Sequence, residues 1–157
     1  MTRSILAASL VLASLSSISR PSCAQSPNPL VGKWTIEYER GRRVENGAMT
    51  PIMGTGLLTI VQQGDSMVAT LEPGPRQDGS VPPPATIGGR ATTDGVVFVQ
   101  KTTAQMNING EASTRELTLT WTLQATGDAL TGTLARELPM MPEPVAPSPV
   151  KGTRRPN

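Results

Sequence analysis

The feature that most restricts what this chain can become is its alternation. Trp34, Ile36 and Tyr38 share one parity, and Thr35, Glu37 and Glu39 share the other. Farther along, Leu117, Leu119, Trp121 and Leu123 alternate with Thr118, Thr120 and Thr122. A period of two is the mark of a strand with one buried and one wet face. Threonine suits the wet side because its branched carbon fits the pleat. Similar runs begin at Gly56, Ser66, Ala85, Gly95 and Ala129, with a shorter one, PVKGTRR, at Pro149. After the first two dozen residues no long stretch carries a helical period, so an all-β domain is expected.

The links between these runs are informative. Gly64-Asp65, Asp94-Gly95 and Gly127-Asp128 read as tight turns, since glycine accepts a positive φ and aspartate bonds its own backbone. The similarity of QQGDSMVATL to ATGDALTGTL is recurring hairpin chemistry of this kind. The odd-numbered links read as longer loops: Gly41 to Thr55, PGPRQDGSVPPP, the intermediate TAQMNINGEAS, and PMMPEPVAPSP. In an antiparallel meander odd and even links lie at opposite ends. About eight strands so arranged predict an antiparallel up-and-down eight-stranded β-barrel, closed so as to remove its edges.

Residues 1–24 read as a signal peptide. Arg3 supplies a basic start, Ile5 to Leu15 an apolar run too short to span a bilayer, and Ser22-Cys23-Ala24 a cleavage site before Gln25. A periplasmic or secreted protein with no stable membrane anchor is expected. Arg3 and Arg20 account for the formal net charge of +2, so the remaining chain is neutral. Neutrality argues against a nucleic-acid partner, whose phosphates call for a basic excess. The single cysteine lies in the leader, so the exported domain must rely on an ordinary core.

Chemistry is sparse. The chain has no histidine, which excludes Ser-His-Asp and Cys-His catalysis and the usual zinc ligand sets. Glu37 and Glu39 could suggest a glycosidase pair, but they lie opposite the Trp34 face and read as solvated. Gly88-Gly89 reads as a bulge. No catalytic constellation and no cofactor are expected.

Gly32-Lys33-Trp34 resembles the G-x-W that opens the first strand of lipocalins and of the wider calycin superfamily of small antiparallel barrels. The resemblance implies that Trp34 plugs a closed floor and that a basic residue following the last strand, Arg154 or Arg155, lies across it. Gly32 would let the backbone turn there. The chain departs from a standard lipocalin in lacking a recognisable helix and in its proline-rich last link. It looks more like the small exported lipocalin-like proteins of bacteria. On this reading residues 25–30 form an N-terminal arm and 31–157 the barrel.

Two functions stay open. One is a binding module holding a small apolar or amphipathic ligand in the barrel mouth. Met49, Met53, Met106 and Met140 would be adaptable apolar contacts, and Arg40, Arg42 and Arg76 a cationic rim suited to an acid. The other is a filled-barrel interaction protein, for example one resembling a protease inhibitor, acting through its loops or its arm on a protein partner that the sequence does not identify.

Overall fold

The computed structural model describes residues 28–45, 48–108, 111–137 and 145–156. The expected leader, Cys23 and Met140 lie outside them. Eight strands run in chain order: β1 (Gly32–Glu45), β2 (Ala48–Gln63), β3 (Ser66–Pro73), β4 (Ala85–Thr92), β5 (Gly95–Ile108), β6 (Glu111–Thr126), β7 (Ala129–Glu137) and β8 (Val145–Arg154). Each pairs antiparallel with its sequence neighbours, and β8 returns to β1. The sheet is a closed up-and-down barrel, and no helix occurs among the described residues.

Alternation becomes burial. Trp34, Ile36, Leu58, Ile60, Met67, Ala69, Phe98, Trp121, Leu123 and Leu130 all point inward and are buried. The tight turns fall at one end, at Gly64-Asp65, Thr93-Asp94 and Gly127-Asp128. Gly64 and Gly127 take φ of 60° and 58°, left-handed values that glycine adopts without steric cost.

The other end differs from expectation. The segment from Gly41 to Thr55 is mostly strand, because β1 runs to Glu45 and β2 begins at Ala48. The segment around Met106 is likewise strand, split between β5 and β6. Two tall hairpins, β1–β2 and β5–β6, therefore stand on opposite sides of the barrel. Between them β3 and β4 are only 8 residues each, with 9 in β7 and 10 in β8. A long loop remains at 74–84.

The wall has two short seams. β4 pairs with β5 only from Gly89↔Phe98 to Thr92↔Gly95, and β1 pairs with β8 only from Trp34↔Arg154 to Glu37↔Lys151. Continuing the second register would place Pro149 opposite Glu39, and proline has no N–H to donate. Gly88-Gly89 is no bulge, since the β3–β4 register runs through it unbroken. Gly89 is instead a gap filled by Phe98: a Cβ there would sit 2.4 Å from the ring.

The turn end of the interior is solid. Trp34 is fully buried and its Nε1 donates to the Leu30 carbonyl at 2.8 Å. The Arg154 guanidinium lies 4.2 Å above the indole and donates to the carbonyls of Val31 and Pro29. Gly32 has φ of 138°, a conformation that favours glycine, and a Cβ there would displace the end of the Arg154 side chain, whose Nη1 would lie 2.6 Å away. Arg155 contributes its backbone N–H to Lys33 O, and its side chain is exposed.

Candidate functional site

Moving from the floor toward the mouth, the apolar packing stops at Tyr38 and Trp121. Their rings meet at 5.3 Å between centroids, inclined by 55°. Above them the inward-facing residues of the strands border a cavity of about 770 Å³, open toward the mouth. Leu71, Leu117, Leu119, Leu134 and Ile52 give it apolar walls, and the 74–84 loop forms one side. The loop is held in place by Gly74 N to Thr55 O at 2.8 Å and by Arg40 Nη1 to Pro75 O at 3.0 Å. Asp78 accepts from the Ser80 amide and hydroxyl, and these bonds hold its carboxyl below the usual range.

The polar part of the cavity wall is one that parity misses. Glu39 is expected on the wet face with Glu37, yet it is 2% exposed. The cause is a register shift between Glu39 and Gly41, where Arg40 is the extra residue. A bulge of this kind breaks the strand's alternation and re-aims the side chains beside it. Tyr38 and Glu39 thus both face inward. A second shift, between Leu134 and Arg136, lies in the β7–β8 pairing.

Arg136 and Glu39 meet between these two irregularities. Arg136 Nη1 lies 2.9 Å from Glu39 Oε1, and its Nη2 donates to the Glu39 backbone carbonyl. The guanidinium therefore serves a strand carbonyl at the place where β8 has left β1. Arg42 closes the cluster with Nε on Oε1 at 2.8 Å and Nη2 on Oε2 at 3.3 Å. Ser148 Oγ, also buried, lies 3.4 Å from Arg136 Nη1.

Titration follows from burial. Desolvation lowers the Arg136 pKa, with Glu39 opposing and Arg42 reinforcing the shift. The Arg42 pKa is raised, chiefly by its hydrogen bond to Glu39. Burial raises the Tyr38 phenol, and the charges of Arg40 and Arg136 pull it partly back. The Trp121 Nε1 is buried without a hydrogen-bond partner.

The residues expected to line the mouth separate. Arg40 and Arg76 border the cavity. Arg42 is engaged by Glu39. Met53 is 43% exposed and lies outside the cavity lining, because Ile52 takes the inward position. Met49 and Met106 stand in β2 and β5, with side chains outside the described set, as is all of Met140. Arg136, Glu39 and Trp121 were not among the expected binding residues. Arg136 had a visible signal, being a charge in phase with Leu130 and Leu134 on the buried face of β7.

Among the described residues no three His, Cys, Asp or Glu side chains group so as to hold a metal ion. Comparison with protein-family models, curated proteins and solved structures finds no match for this chain.

Proposed function

We propose that this protein is an exported, lipocalin-like binding module that takes one small apolar or amphipathic molecule into the mouth half of its barrel and performs no catalysis. The observation that supports it is the division of the interior. Side chains fill the floor half, whereas about 770 Å³ stays open above Tyr38 and Trp121. That volume lies within the range of small-molecule sites, roughly 300–1,000 Å³, and the mostly apolar walls with few polar groups match their usual chemistry. The near-neutral charge after the leader leaves nucleic acid out of the reading.

The alternative is an interaction protein acting through its tall hairpins or its arm. The arm is the weaker element, because Pro29 and Leu30 are bound to the protein's own floor through Arg154 and Trp34.

Calorimetry with a panel of medium-chain acids, amides, alcohols and aromatic compounds tests the proposal. Saturable one-to-one binding with a negative heat-capacity change, the signature of apolar burial, is expected for at least one member. If no member binds while the barrel remains folded, the interaction reading takes its place.

A further inference from the structure

The charge cluster above the Tyr38–Trp121 pair is unbalanced. One carboxylate, Glu39, faces two guanidiniums, Arg42 and Arg136. Arg136 borders the cavity with only 11% of its side chain exposed, so water does little to satisfy its surplus charge. Arg40, on the bulge beside Glu39, also borders the cavity, and its hydrogen bond goes to a neutral carbonyl, Pro75 O. This end of the cavity thus holds positive charge in excess of negative.

We infer that the molecule taken by the barrel is a monoanionic amphiphile, bound with its acid group inward against Arg136 and Arg40 and its apolar part toward Leu71, Leu117 and Leu119. The inference rests on the proposed binding function and adds the headgroup class and its orientation. A guanidinium bound to an acid through paired N–H donors forms the stronger kind of hydrogen bond. The ligand's anion supplies the negative charge that Glu39 alone leaves short. Glu39 is a positioning residue: it holds both guanidiniums in place and competes with the ligand for them. Arg42, held by Glu39, and Arg76, on the loop, are secondary to Arg136.

Decanoate and decanamide, equal in chain length and different in charge, are the probes. Decanoate should bind and decanamide should bind about tenfold or more weakly, the worth of a hydrogen bond to a charged group. Arg136→Met should remove that preference. Glu39→Gln, which deletes the competing carboxylate, should raise the preference for decanoate over decanamide, an outcome that a purely structural role for Glu39 does not give. A measurement on the unmodified protein avoids any folding defect of the variants. Decanoate isotope-labelled at its carboxyl carbon is titrated while bound, and its carboxyl should ionise at a lower pH than in the free acid. Equal binding of acid and amide overturns the headgroup inference while leaving the cavity reading intact. A bound carboxyl that ionises at the free-acid pH or above overturns it equally. If neither probe binds and the wider panel also fails, the binding function falls as well.

Discussion

Arg136→Met is the substitution whose cost the structure specifies most fully. It deletes the ion pair to Glu39 Oε1 and the bond to the Glu39 carbonyl, leaving a carboxylate that is 2% exposed. Breaking a buried pair by removing one partner costs about 3–5 kcal/mol. Arg42 still reaches both Glu39 oxygens, so the low end applies, about 3 kcal/mol. Glu39→Gln keeps an acceptor and leaves two guanidiniums less well matched, and about 2 kcal/mol is expected. With both changes made, no carboxylate is stranded, and the double variant should be more stable than the sum of the singles implies by about 1.5 kcal/mol. Urea unfolding of the four proteins measures this. With a denaturant slope of about 1–3 kcal/mol/M, Arg136→Met should move the midpoint down by about 1–3 M. Single costs that add within about 0.5 kcal/mol would refute the argument that the two side chains form one buried unit.

Five further substitutions test the wall and the floor. Gly89→Ala should cost about 1–3 kcal/mol, because its new methyl group meets the Phe98 ring. Gly88→Ala, with nothing within 4 Å, should be neutral or stabilise by up to about 1 kcal/mol. The two can be compared by thermal unfolding. Trp34→Ala should cost about 3–5 kcal/mol and Arg154→Ala roughly 1–2, whereas Arg155→Ala should change little; urea midpoints rank them.

Much of the barrel was legible because most of its strands obey parity without interruption. Trp34 to Tyr38 alternate in the sequence and in burial, and in β6 the buried Trp121 and Leu123 flank a half-buried Thr122, whereas Leu117 to Thr120 are all half-buried beside the cavity. The floor was legible too, since a glycine, a tryptophan and a terminal arginine meet where the resemblance put them. The mouth was less so. Asn46-Gly47 and Asn109-Gly110 are strong hairpin signals, but polar and methionine-rich flanks made the surrounding segments read as loops. The resulting strands, β1–β2 and β5–β6, rise past the core, and their described residues there are exposed or half-buried, so burial does not enforce apolar alternation among them. Glu39 was missed for a sharper reason. A bulge inserts one residue, so every inference from parity fails at that point, and only pairing across the sheet reveals it. The local trace is Glu39-Arg40-Gly41-Arg42, a charged run interrupted by glycine, which also fits an exposed strand end. Arg136 was recoverable by extending the Leu130–Leu134 face by one step. Its partner was not, because Glu39 lies far away in sequence and reaches it only through closure of the barrel.

The central claim is that the mouth half of the interior is a binding space and the floor half is not. The two tryptophans report on the two halves separately: Trp121 borders the cavity and Trp34 is sealed in the floor. The measurement is the fluorescence of the single-tryptophan proteins Trp34→Phe and Trp121→Phe during titration with decanoate. The account predicts a saturable change in Trp121 emission from the first and a flat response from Trp34 in the second. A response from Trp34 with Trp121 silent, or silence from both in folded protein with decanoate and with every member of the wider panel, would contradict it.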